Sequence, residues 1–426
     1  MSGAKARLAA AELLMTVLEE NRTLEEALAT TESFDALSGA DRGFARAMTS
    51  AAIRQLGRID AGLAPFLNRP LETATPPSRA LLRIGAAQAW LLETPDHAVV
   101  GETVAAAKLW PRAHRATGFL NAVLRKVVAD RSAFDDAPVE ANWPAWLRTI
   151  AIQGLGAKAA NTLVAAQTET PDIYLTPKNG DPQALSTRVD GEVTAGYSVR
   201  VSGQAIDTIP GYETGDWWVQ DVAATLPARL LNAVAEDKIL DICAAPGGKT
   251  MQLAASGANV TAIDRSKPRL KRLKQNLWRT GFHGTVETVL ADATQWRPDT
   301  PVDKILLDAP CSALGTLRRN PEGAWIKSPT DVARFSNIQE RLLRASLEML
   351  EPGGTLIYCV CSPLPHEGVE IVDRVLQDTA AARLPVKPHE IQGFEPSISA
   401  LGDVLTLPNA SFAHDAFYIA RLKREI

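Results

Sequence analysis

Three features of the sequence predict a multidomain chain: an all-α helical bundle, then a small α+β unit, then an α/β doubly wound domain. Residues 1–130 carry alanine and leucine at helical spacing with sparse glycine. Residues 131–225 break into stretches rich in proline, glycine and β-branched residues. Residues 226–426 alternate short apolar runs with helical patterns. At 426 residues the chain exceeds one ordinary domain, and 46% hydrophobic residues suffice for real cores.

In the first region Leu14, Val17 and Leu18 fall on one helical stripe. Thr23-Leu-Glu-Glu26 and Ser38-Gly-Ala-Asp41 both have the capping-box pattern that starts a helix. Pro65, Pro70, Pro76, Pro77, Pro95 and Pro111 divide the run into short helices, which must bury their stripes against each other in a bundle. The middle region holds Pro138, Pro144, Pro171, Pro177, Pro182 and Pro210, with a β-branched run at Ser198-Val-Arg-Val201. It reads as a connector plus a small α+β unit. Beyond it, strands are expected at Lys238–Ile242, Asn259–Asp264, Val286–Leu290, Val302–Asp308, Thr355–Val360 and Phe417–Leu422. Helices are expected at Pro268–Thr280, Pro329–Leu350 and Glu367–Asp378, so the sheet should be mainly parallel.

A net charge of −4 argues against a protein that coats nucleic acid indiscriminately, while leaving room for local basic patches. Four cysteines form no disulfide framework, no secretory segment precedes them, and no apolar run reaches membrane-spanning length. A cytoplasmic protein with free thiols and no membrane partner follows. Cys359-Val-Cys361 is not a spaced zinc pair, so no metal is expected.

The loop Cys243-Ala244-Ala245-Pro246-Gly247-Gly248-Lys249 leaves the first strand of the doubly wound region, where such sheets hold ligands. Gly247 and Gly248 permit close backbone approach, and the helix they open offers its N–H groups. Asp264 ends the next strand, placed for the two ribose hydroxyls of a nucleoside, and Asp292 after the third strand suits an adenine amine. Two rivals use similar loops. Gly248-Lys249-Thr250 fits the end of a phosphate-binding P-loop, but Cys243 stands where its first glycine belongs. A G-x-G-x-x-G fingerprint is absent. The loop alone leaves a methyl-donor site, a phosphate site and a structural turn equally open; Asp264 and the downstream cysteines favour the first.

Cys311 ends Ile305-Leu-Leu-Asp-Ala-Pro-Cys, and Cys361 follows Leu356-Ile-Tyr-Cys-Val. Neighbouring strands lie about 4.8 Å apart, so adjacent strand ends would bring both thiols to one pocket. Thiolate addition at C6 of a cytosine makes C5 enamine-like and able to take a methyl group from a sulfonium. Asp308 could hydrogen-bond the base edge and favour N3 protonation during attack. The plainer reading is that a free cysteine is a small buried hydrophobe, and this is the expectation for Cys359 and Cys243.

Asp241-Ile-Cys-Ala-Ala-Pro-Gly-Gly-Lys-Thr250, Leu307-Asp-Ala-Pro-Cys-Ser312 with Arg318-Arg-Asn-Pro321, and Cys361-Ser-Pro-Leu-Pro365 resemble the Sun (Fmu) family of RNA cytosine-5 methyltransferases. Asp41-Arg-Gly-Phe-Ala-Arg46, Asp96-His-Ala-Val-Val-Gly-Glu102 and Gly118-Phe-Leu-Asn-Ala-Val-Leu-Arg125 resemble the NusB-type helical RNA-binding domain. The resemblance implies a NusB-like domain over 1–130, a connector and α+β unit over 131–225, and a Rossmann-like methyltransferase domain over 226–426. It further implies S-adenosylmethionine as cofactor, small-subunit ribosomal RNA as partner, Cys361 as nucleophile and Cys311 as the thiol that assists release. Donor contacts are implied for Cys243 to Lys249, Asp264, Asp292 and Asp308. Val360 stands where the family usually has threonine, and Tyr174-Leu-Thr-Pro-Lys-Asn179 only partly matches its arginine-asparagine pair. A monomer is expected. The other classes still to be separated are a P-loop-like nucleotide hydrolase and a non-catalytic RNA-binding or assembly factor with a vestigial methyltransferase domain.

Ser266 to Arg279 reads as a basic amphipathic helix with Leu270, Leu273 and Leu277 buried and Lys267, Arg269, Lys271, Arg272 and Lys274 outward. A solvated face is the ordinary outcome; the alternative is phosphate contact, shared with Arg318, Arg319, Arg125 and Lys126. A target base must be unstacked to reach a thiol, and the sequence does not identify the residue that replaces its neighbours.

Overall fold

The computed structural model describes residues 2–203, 205–408 and 411–426. The chain divides into two compact units, one of residues 1–152, 164–170 and 317–328, the other of 153–163, 171–316 and 329–426.

The first unit is helical. Its central helix Ser2–Glu20 packs against Gly39–Arg54, Pro76–Leu91 and Asp96–Leu109, with Thr117–Ala129 completing the bundle. Leu13, Leu14, Met48, Ile53 and Trp90 are fully buried in one core, where each such side chain contributes roughly 1.5–3 kcal/mol. Thr23 caps the helix Leu24–Thr30 in a full capping box with Glu26. The second expected box does not form. Ser38 does precede the helix Gly39–Arg54, but its side chain makes no cap bond. Gly39, at φ 51°, turns the backbone out of helical geometry at the first position.

The bundle extends past residue 130. Asn142 accepts from Arg58 N at 3.1 Å, and Trp143 Nε1 donates to Gln167 Oε1 at 2.7 Å. It also takes in residues 317–328, through Leu24 N donating to Glu322 Oε1 at 3.1 Å and Arg54 Nη1 to Arg318 O at 2.6 Å.

The second unit holds two sheets. β1 (Ile173–Pro177), β2 (Glu192–Thr194), β3 (Ser198–Val201) and β4 (Trp217–Val219) form an antiparallel sheet in the order β2-β3-β1-β4. This α+β piece shares its core with the rest of the second unit. Tyr174 and Trp218 enter the same apolar core as Leu226, Leu253 and Leu277, and Gln220 Nε2 donates to Gln252 Oε1 at 2.7 Å.

The larger sheet has eight strands among the described residues: β5 (Lys238–Ile242), β6 (Asn259–Asp264), β7 (Val286–Leu290), β8 (Val302–Asp308), β9 (Leu350–Val360), β10 (Ala381–Arg383), β11 (Val404–Thr406) and β12 (Phe417–Arg424). The order is β7-β6-β5-β8-β9-β12-β10, with β11 also paired to β12. β5 to β9 are parallel, and β12 runs antiparallel to β9. The order reverses between β5 and β8, so a crevice opens outside their carboxyl ends. Strand and helix bounds lie close to those read from the sequence. Two depart: β9 starts at Leu350, five residues before the expected Thr355, and the last helix, Val369–Leu376, starts after a 3₁₀ turn at Pro365–Glu367.

Candidate active site

Every group expected at the donor and thiol sites sits at the carboxyl end of β5, β6, β7, β8 or β9. β5 ends in Asp241 and Ile242. Cys243 then takes φ 64° and Gly247 φ 107°, and the turn opens the helix Gly248–Ala255. Ala244 N donates to Ile263 O at 3.0 Å and Asn276 Nδ2 to Pro246 O at 2.9 Å, which fixes the loop against β6 and the helix Lys267–Thr280.

Two ion-pair and hydrogen-bond contacts lock the floor of the crevice. Lys249 Nζ lies 2.8 Å from Asp308 Oδ2, joining the first helix to the end of β8. Burial is the largest single influence and would lower the Lys249 ammonium, but Asp308 together with the Cys359 and Cys361 sulfurs outweighs it, and the lysine is held above its usual range. Thr250 Oγ1 donates to Asp241 Oδ2 at 2.5 Å. Asp241 is buried, and that burial, with Asp308 and Asp264 nearby, pushes its carboxyl up to about 7 against the Thr250 bond. With Lys249 and Thr250 so engaged, the two side chains a P-loop offers to phosphate and magnesium are both turned to carboxylates of the protein. That argues against the hydrolase reading.

Asp264 is buried, accepting from Ser266 N at 2.8 Å and Ala245 N at 3.3 Å, with Arg269 Nη1 3.6 Å away. Asp292 is exposed and its carboxyl is held below the usual range by Thr294. These donors and acceptors fit S-adenosylmethionine by their chemistry. Carboxylates stand at consecutive strand ends for a diol and an amine, a helix N-terminus for a carboxylate, and close backbone for a nucleoside.

β8 and β9 are parallel neighbours with Asp308 opposite Cys359. The chain then carries Cys311 and Cys361 together, Sγ to Sγ 3.4 Å, both half-buried. The expected convergence of the thiols is therefore met. Their loops are tied by backbone as well, since Gly315 N donates to Cys361 O at 2.9 Å. A Cβ on Gly315 would lie 2.0 Å from Ala416 O, so only glycine fits there.

Glu367, expected from the sequence to open a helix, is fully buried behind this pair. It accepts from Ser312 N at 2.8 Å, Ser312 Oγ at 2.5 Å and Gln339 Nε2 at 3.2 Å. Its hydrogen-bonding load could not be read from sequence, because a Glu six residues past a cysteine carries no pattern. The hydrogen bond with Cys361, burial and the charges of Cys361 and Glu367 hold the Cys311 thiol well above its usual range. Burial likewise raises Cys243 and Cys359.

Cys359 is fully buried, as expected of a packing cysteine, though its Sγ lies 3.5 Å from Asp308 Oδ1. Ile357, Cys359 and Cys361 face one layer, while Leu356, Tyr358 and Val360 face the other. A threonine at 360 would point its hydroxyl into that second layer, so Val360 removes nothing from beside Cys361.

Among the cationic residues, Lys271, Arg125, Lys126 and Arg319 are exposed. Arg318 is not. It is 4% exposed and packed in the helical unit near Arg54, so the expectation of a surface phosphate contact fails there.

A family model described as 16S rRNA methyltransferase RsmB/F matches residues 228–423, and one described as the NusB family matches residues 4–129. The ribosomal RNA small subunit methyltransferase B of Xanthomonas campestris is 34% identical over 397 residues, covering 90% of each chain. That of Vibrio vulnificus is 32% identical, covering 91% of this chain and 94% of its own. The crystal structure of PH0851 superposes with a TM-score of 0.78 at 20% identity over 98% of both chains, a likeness of fold. By this similarity along nearly its whole length, the chain belongs to the RsmB/F family of 16S rRNA methyltransferases.

Proposed function

We propose that the protein methylates C5 of a cytosine in small-subunit ribosomal RNA through a transient bond between Cys361 Sγ and C6 of the base. The observation that carries this is the 3.4 Å approach of two half-buried thiols at adjacent strand ends, beside the Lys249–Asp308 pair. The Cys243 to Lys249 loop, Asp264, Asp292 and Asp308 would hold S-adenosylmethionine, which supplies a methyl group on a sulfonium.

The chain's own residues then have distinct tasks. Cys361 as thiolate adds to C6, and the C5–C6 π electrons make C5 nucleophilic. Asp308, the carboxylate paired with Lys249, would accept a hydrogen bond from the amino edge of the base and stabilise N3 as it takes a proton from solvent. After C5 is methylated, Cys311, once its own proton has passed to solvent, takes the C5 proton; the C5–H electron pair reforms the C5–C6 double bond, N3 loses its proton, and the C6–S bond breaks with its electron pair leaving on Cys361. Arg125 and Lys126 on the helical unit, with Lys271 and Arg319, would meet phosphates. A cytoplasmic monomer is the form this reading expects.

The test is a methyl-transfer assay on a 16S ribosomal RNA transcript, with 5-methylcytosine mapped in the product. Wild type should give one modified cytosine and Cys361→Ala none. Methylation at another atom, or undiminished transfer by Cys361→Ala, would overturn the reading.

A further inference from the structure

The helix Lys267–Thr280 places six basic residues and no acidic one on a chain whose net charge is −4. They do not all do the same work. Arg279 Nη1 donates to Tyr212 O at 2.8 Å and Trp217 O at 3.1 Å, and Arg269 donates to Ala245 O; both are used to pack the helix. Lys267, Lys271 and Lys274 are exposed and make no hydrogen bond or ion pair among the described residues. At about 100° per residue these three lysines and Trp278 fall within roughly 60° of arc, one stripe along the helix.

Trp278 is the unusual member. It is 70% exposed, the most exposed of the tryptophans, with its ring 4.1 Å from the His283 ring and no core to pack against. A large aromatic left in water at the end of a lysine stripe is costly unless something covers it. The stripe begins at the turn that holds Asp264 and ends about 16 Å away along the helix axis.

We infer that Lys267, Lys271, Lys274 and Trp278 form a single-stranded RNA track, with the lysines on successive phosphates and one unpaired base stacked on Trp278. This rests on the proposal that RNA is the substrate, and names the surface that holds the strand flanking the target. A polyanion is selected by three unpaired cations with no carboxylate on the helix. A base, rather than a protein side chain, is selected because an exposed ring beside phosphate-spaced cations is what sequence-tolerant single-strand binding uses.

The experiment measures binding, not methyl transfer, so it can fail while the catalytic reading stands. A 16S ribosomal RNA transcript is titrated into wild type, Trp278→Ala, Trp278→Phe and a Lys267→Ala/Lys271→Ala/Lys274→Ala variant over a range of salt. Trp278→Ala should bind about tenfold more weakly with an unchanged salt slope, and Trp278→Phe should recover most of the loss. The triple variant should reduce the slope of log K against log salt by about 2, from about 0.7 per phosphate contact. All four substituted positions are exposed, so melting temperatures should match wild type. Equal affinity for Trp278→Ala, or an unchanged slope in the triple variant, overturns the track.

Discussion

Asp241 gives the sharpest physical test of the crevice. Its carboxyl sits beneath the cofactor loop, 1% exposed, with a pKa of about 7 against an ordinary 3.8. A carboxyl raised on folding adds stability that is complete below its unfolded pKa and is lost as pH rises through its folded one. At about 1.4 kcal/mol per pKa unit, the folded protein should lose roughly 3 kcal/mol from this group between pH 5 and pH 8. Asp241→Asn removes the titration while keeping an acceptor for Thr250. Its amide faces the place of Oδ1, which has no partner among the described residues, so the variant pays a cost that does not change with pH. Urea unfolding followed by tryptophan fluorescence at pH 5, 6, 7 and 8 isolates the difference. Relative to wild type, the variant should gain about 3 kcal/mol across that range and then level off. Parallel curves, with a constant difference between the two proteins, would refute the claim that desolvation governs this carboxyl.

Two further outcomes follow from the thiol loops. Gly315→Ala forces a Cβ to within 2.0 Å of Ala416 O and 2.9 Å of Cys361 O, so it should cost about 1–3 kcal/mol of stability and depress methyl transfer; a wild-type melting temperature and rate would contradict the contact. Glu367→Gln removes a buried charge that raises Cys311, so the pH midpoint for alkylation of Cys311, followed by site-resolved mass spectrometry without RNA or cofactor, should fall; an unmoved midpoint in a folded variant would show that Glu367 only packs.

Much of this molecule is legible in its sequence because strand ends are written in it. Asp264 and Asp308 each close an apolar run, and the doubly wound order brings those ends to one edge without further information. The two cysteines meet for the same reason. What the sequence could not carry is long-range burial. Arg318 looks like a phosphate ligand as one of two adjacent arginines, yet its backbone and side chain are absorbed into the helical unit. Glu367 looks like a helix start and instead holds the Cys311 loop. Trp278 belongs to no motif in the sequence, and its exposure to water shows only in the folded protein. Residues 131–225 carry local strand and turn signals, but the cores their apolar faces enter are completed by distant residues.

The most direct measurement is a denaturing gel of protein incubated with 16S ribosomal RNA and S-adenosylmethionine. Cys311→Ala should run as a slowly migrating protein–RNA species, because the methylated base stays attached when nothing removes its C5 proton. Adding Cys361→Ala to that variant should abolish the species. A retarded band that persists without the sulfur of Cys361, or normal turnover by Cys311→Ala with no band, would contradict the assignment of the two thiols.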